Sequence, residues 1–183
     1  QALNNPGQRV VDTVFVFPRE EADPADPANY YFKATDWLLR NLLSCGTQVY
    51  YRLGVSIEHT LPGHHFNTEI PKDNLHYARI LAGIIRHYNY GWADGFRMNI
   101  PCWEIWNEPD LLSFCDFSAP DYVQLQKIVR EEQKKFAPHV KILTGGFAHA
   151  YPENNKNGFQ EYVLANGKEY FDIHAFHGHG GFK

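Results

Sequence analysis

Residues 103–110 read Trp-Glu-Ile-Trp-Asn-Glu-Pro-Asp, and the residue types best suited to chemistry sit together there. The apolar run from Ile100 to Trp106 predicts a strand, and Pro109, which cannot donate to a sheet, ends it. Asn107 and Glu108 then emerge side by side where strand gives way to loop. A carboxyl group flanked by Trp103 and Trp106 can be partly desolvated and stay protonated enough to act as an acid. The Asn107 amide can hydrogen-bond a ligand hydroxyl. The competing reading is a loop carboxylate that caps the next helix, and residue types alone leave both open. Glu104 shares the parity of Glu108. It is expected to point inward, either supporting the site or in a salt bridge with Arg52.

Other candidates lie at the ends of other strands. Glu58 and His59 follow the run Gln48 to Ile57 and are readable as rim contacts or as solvated loop residues. His149 and Tyr151 follow Lys141 to Ala148 and invite the same two readings. His174, His177 and His179 form a cluster that resembles a metal site only in residue type. With no acidic partner at a defined spacing, no metal is expected. His174 is read as a pocket residue, and His177 and His179 as loop residues.

The elements that must position these groups alternate regularly. Val10–Phe17, Gln48–Ile57, Ile100–Trp106, Lys141–Ala148 and Tyr170–Phe176 read as strands. A helix capped by Thr35 or Asp36 runs through Trp37, Leu38, Leu39, Leu42 and Leu43 and stops before Gly46. A second spans about 73–88, its apolar side Leu75, Ala78, Ile80, Leu81, Ile84 and Ile85. A third spans about 121–136 with Tyr122, Leu125, Ile128 and Val129 on one side. A fourth covers Gly158 to Ala165, closed by Asn166-Gly167. Apolar strands alternating with helices, without a hairpin signal, imply parallel β/α units with right-handed crossovers. A doubly wound sheet is the alternative, although no Gly-rich phosphate loop follows any strand. Either architecture puts its site at the strand C-terminal ends.

Composition narrows the function classes. The 183 residues are 44% hydrophobic and carry a net charge of −4, which disfavours nucleic acid or an anionic membrane as a partner. No stretch approaches the ~20 apolar residues of a membrane span, and no basic segment followed by an apolar run marks a leader. Cys45, Cys102 and Cys115 show neither disulfide nor zinc spacing, which leans toward a reducing, cytoplasmic compartment. No cofactor is expected. Oligomeric state is not legible. Four Trp, eleven Tyr and thirteen Phe supply flat faces suited to sugar rings, although core packing accounts for most of them.

The run WEIWNEPD resembles the acid/base strand of clan-A glycoside hydrolases, and it is most similar to family 39, which includes β-xylosidases and α-L-iduronidases. The surroundings carry the same likeness over roughly residues 30–177. Tyr31-Phe32 with its helix, Gly46 and QVYYRLG is similar to the second helix and third strand, TGGFA to the fifth strand, and FDIHAF to the sixth. The resemblance implies a partial (β/α)8 barrel, roughly strands three to six, with residues 1–183 forming one incomplete catalytic domain. It implies a retaining hydrolase of a plant-type or related glycoside, β-xylosidase-like, with Glu108 as general acid/base and Asn107 on the sugar 2-hydroxyl. His174 matches the histidine of a sixth-strand His-x-Tyr pattern. Phe176 stands at its tyrosine, so a phenol hydrogen bond is lost there. Arg52, Trp106, Glu58 and His59 are the remaining candidates for substrate contact. Arg52 departs from the polar residue usual in the xylosidases and leaves the sugar open. The nucleophile would be a glutamate on a seventh strand, beyond Lys183, so a chain ending there is expected to be inactive by itself. A sugar-binding barrel without hydrolysis is the rival function.

Overall fold

The computed structural model describes residues 16–17, 19, 21–54, 70–111, 115–148 and 156–178. Most of the strand expected at 10–17 lies outside them, as do Glu58, His59, His149, Tyr151 and His179. Four helices are described: α1 (Lys33–Ser44), α2 (Asn74–Tyr90), α3 (Ala119–Lys134) and α4 (Phe159–Asn166). They alternate with short strands β1 (Tyr51–Leu53), β2 (Cys102–Ile105), β3 (Lys141–Leu143), β4 (Phe147–Ala148) and β5 (Phe176–His177). β1, β2 and β3 form one parallel sheet with β2 in the middle. β4 and β5 pair in parallel, and a parallel bridge from Leu143 to Ile173 links the two groups. The α/β class with parallel strands is as expected.

Strand alternation sorts the sheet residues into two faces. Tyr51, Trp103 and Ile142 are in register and almost wholly buried on the helix side, where Tyr51 stacks on Trp103 at 4.8 Å and meets Tyr88 of α2 at 5.7 Å. Arg52, Glu104 and Leu143 form the next row and face the other way. From α2 come Ala78, Ile80, Leu81, Ile84, Ile85 and Tyr88, all buried. Leu75, expected on that side, is 38% exposed because it lies in the first turn, where Asp73 caps the helix by accepting from the Leu75 and His76 amides. Gly91, in the left-handed region at φ 73°, closes the other end.

Several local readings shift. α1 begins at Lys33, ahead of the expected cap. Asp36 caps nothing and instead accepts from His87 Nε2 at 2.9 Å and the Tyr88 hydroxyl at 3.0 Å, tying α1 to α2. Of the residues the helix runs through, Leu39 is fully buried and Trp37 is 69% exposed. α3 starts two residues before the expected Asp121, with Ser118 as its cap and Pro120 in its first turn. The strand read as 141–148 is broken at 144–146, where Gly146 adopts φ 43°.

The entry to β2 is fastened by one side chain. Asn89, at the end of α2, donates to the Ile100 carbonyl and accepts from the Ile100 amide, both at 2.8 Å. The Ile100 carbonyl also accepts from Trp103 Nε1 at 3.0 Å, so replacing Asn89 by alanine leaves the buried Ile100 amide unpaired, which costs about 1–3 kcal/mol. Urea unfolding of Asn89→Ala is expected to give a midpoint lowered accordingly with an unchanged slope; an unchanged midpoint would show the clamp to be dispensable.

Candidate active site

β2 ends in an unusual backbone. Trp106 has φ 74° and Glu108 φ 46°, left-handed conformations that are costly for residues with a side chain. Neighbouring backbone holds them there. The Trp106 amide donates to the Leu53 carbonyl at 2.7 Å and the Glu108 amide to the Gly145 carbonyl at 2.6 Å. The ends of β1 and β3 thus grip the two residues on either side of Asn107. Gly54 makes the close approach possible, since a Cβ there would sit 2.9 Å from the Trp106 Cα.

A phenol completes the grip from below. The Tyr122 hydroxyl donates to the Ile105 carbonyl at 2.8 Å and accepts from the Gly145 amide at 2.7 Å and from Gln126 Nε2 at 2.6 Å. Burial pushes its pKa up, so it stays a neutral donor. Helical periodicity marked Tyr122 only as core. Its hydroxyl, in the first turn of an amphipathic helix, was the available hint. Tyr122→Phe leaves the Ile105 carbonyl and Gly145 amide orphaned, at about 1–3 kcal/mol. The expected result is a thermal midpoint lowered by that equivalent, and a midpoint equal to wild type would rule out the clamp.

The side chains fall into one connected chain. Arg52 Nε donates to Glu104 Oε1 at 2.6 Å, and Arg52 Nη2 lies 3.2 Å from His177 Nε2. His177 Nδ1 lies 2.6 Å from Glu108 Oε1. Glu108 is 5% exposed and Glu104 fully enclosed. Burial, with the nearby Glu108 charge second, pushes the Glu104 carboxyl well above the usual carboxylate range. Asn107 is 3% exposed, and its Oδ1 has no hydrogen-bond partner among the described residues.

Compared with the sequence-based expectations, Glu108 and Asn107 do stand together at a strand end, and Arg52 is beside them. Arg52 lies beneath the site in an ion pair, which agrees with the salt-bridge reading of Glu104 and leaves its guanidinium engaged by protein groups. Trp103 does not flank Glu108, because strand alternation turns it to the helix side. Trp106 offers no open face: it is 2% exposed, edge-on to Phe117 at 4.9 Å and to Tyr77 at 6.2 Å. The histidine that meets Glu108 is His177, read from the sequence as a loop residue. His174 packs its ring 5.1 Å from Phe147, which itself faces Tyr122 and Phe159 on the helix side. Among the described residues it is therefore His177, and not His174, that is brought to Glu108, while Phe176 is 52% exposed.

Two further groups hold the loop after Glu108. Asp110, fully buried, accepts from the Ala148 amide at 3.0 Å and from Gln160 Nε2 at 3.0 Å. Lys156 Nζ donates to the carbonyls of Pro109, Cys115 and Phe117 at 2.9, 2.7 and 2.7 Å. Burial raises the Asp110 carboxyl above its usual value, against the opposing pull of the Ala148 amide and Gln160. The folded state then retains a proton that the unfolded chain has released. Stability contributed by this group falls as pH rises from the ordinary carboxylate value through the raised one. Asp110→Asn is expected to flatten that fall in urea unfolding measured across the window, whereas an identical pH slope would contradict the assignment.

No protein-family model and no curated protein matches the sequence. Solved structures do, glycoside hydrolases among them. A glucosidase from Croceicoccus marinus superposes with a TM-score of 0.68 at 25% identity, over 89% of this chain and 34% of that one. The chain likewise resembles family 39 enzymes. One is a glycoside hydrolase from the gut symbiont Bacteroides cellulosilyticus, with TM-score 0.57, 21% identity, and coverage of 91% of this chain and 31% of the other. Another is a family 39 β-xylosidase from Caulobacter crescentus, with TM-score 0.54, 18% identity, and coverage of 81% and 34%. The chain spans about a third of the length of these structures.

Proposed function

We propose that this chain supplies strands three to six of a (β/α)8-barrel glycosidase, in which Glu108 is the general acid/base of a retaining, β-xylosidase-like hydrolysis. The observation that carries the reading is Glu108 itself. It is a carboxylate at the end of a central parallel strand, fixed through its backbone by Gly145 and through its side chain by His177. A buried amide oxygen of Asn107 without a hydrogen-bond partner among the described residues stands next to it, suited to accept from a sugar hydroxyl. In the reaction a second carboxylate attacks the anomeric carbon while Glu108 protonates the departing oxygen. Glu108 then takes a proton from water as the glycosyl–enzyme bond is hydrolysed. Glu104 is unsuited to be that nucleophile, being enclosed and bonded to Arg52. The nucleophile is assigned to a seventh strand following Lys183, with its carboxyl about 5–5.5 Å from that of Glu108.

Leaving-group dependence tests the role of Glu108 in the full-length protein. An alkyl glycoside needs its oxygen protonated, so Glu108→Gln is expected to slow its hydrolysis by about 10²–10⁴-fold. A dinitrophenyl glycoside departs unaided, and its first step is expected to survive. Azide should then trap the intermediate as a glycosyl azide of retained configuration. Equal losses on both substrates, or no loss on either, would sink the assignment.

A further inference from the structure

Arg52 has a feature that substrate binding does not use. It is 7% exposed, and two of its guanidinium nitrogens face protein acceptors on different strands. A guanidinium has donors and no acceptor. At its 3.2 Å contact with Arg52 Nη2, His177 Nε2 must therefore be the acceptor and carry no proton. The ring proton is then on Nδ1, which lies 2.6 Å from Glu108 Oε1 and donates to it. One cation thus fixes the tautomer of a histidine, and the histidine fixes the direction of one lone pair on Glu108.

Glu104 explains how that cation can be there. A guanidinium buried without a partner is strongly unfavourable, and Glu104, directly opposite Arg52 in the β1–β2 register, accepts from its Nε. Space for the ring comes from Gly146, where a Cβ would collide with the imidazole. The four side chains come from β1, β2, β5 and the loop after β2, so only the assembled sheet brings them into line.

We infer that Arg52 is a positioning residue: with Glu104 as its buried acceptor, it holds His177 as the neutral Nδ1–H tautomer that orients the Glu108 carboxylate. This rests on the proposed role of Glu108 for its catalytic consequence, but its tautomer claim stands apart from that role. After proton transfer to the leaving oxygen, Glu108 carries the charge that the Nδ1–H group is already aimed at. No proton leaves His177 in this scheme; the ring orients and does not relay.

Nitrogen NMR of the protein labelled at histidine reads the tautomer directly, with His177→Asn identifying the signal. The expected wild-type ring has a protonated Nδ1 and a bare Nε2 near neutral pH. A ring protonated on Nε2, alone or with Nδ1, overturns the inference whatever Glu108 does. Kinetics give the second arm. Arg52→Lys keeps the charge but not the two-sided fork, and it should slow alkyl-glycoside hydrolysis by about tenfold in kcat, within the coupling neighbouring residues show. In a His177→Asn background the Asn amide replaces the Nδ1–H donor and has no tautomer to set. There the same Arg52→Lys change should cost less than about twofold. An equal cost in both backgrounds would mean that Arg52 acts by some other route. Failure of the Glu108 assignment would appear separately, as an alkyl-glycoside rate unaffected by Glu108→Gln.

Discussion

Everything at the site hangs on the backbone grip at the end of β2. Two residues with side chains, Trp106 and Glu108, are held at positive φ by hydrogen bonds to carbonyls from the strands on either side. Each such conformation carries a strain of order 1–3 kcal/mol. It persists only because neighbouring elements over-determine it. Leu53 supplies one carbonyl, Gly145 another, and the Tyr122 phenol fixes Gly145 in turn. The direction of the Glu108 side chain is thus decided by the parallel sheet, and not by the loop that follows.

Beneath that grip lies a set of buried and half-buried ionisable groups. Arg52 and Glu104 pair in register across β1 and β2, and Asp110 and Lys156 are each surrounded by backbone partners. Such groups contribute little net stability compared with apolar residues of the same shape, but removing one member strands its partner. Their value is geometric, since each has few arrangements that satisfy all its hydrogen bonds. A core of aromatic and aliphatic rings around Tyr51, Trp103 and Tyr88 supplies the burial.

Much of this was legible before any coordinates. Apolar runs alternating with amphipathic stretches announced parallel β/α units, and Asn107-Glu108-Pro109 at a strand end marked the site. The misreadings have physical causes. His174 and His177 are three residues apart, and which one faces inward depends on a pairing register that spacing does not reveal. Tyr122 looked like any inward helix residue, because periodicity reports burial and is silent about where a hydroxyl points. Asp36 looked like a cap because its residue type favours caps; a tertiary partner, His87, outbid the local one. Trp103 and Trp106 looked like two walls of one pocket, although residues three apart on a strand point to opposite faces.

The Lys156 ammonium has a consequence for how the molecule breathes. It joins three carbonyls of the 109–117 segment to the turn before α4, and the Lys156 amide returns a bond to the Asp110 carbonyl. Opening the loop next to Glu108 therefore means pulling a cation off all three acceptors and loosening the start of α4 at the same time. Loop and helix become one cooperative unit, whose amides exchange with solvent together and at a common free energy.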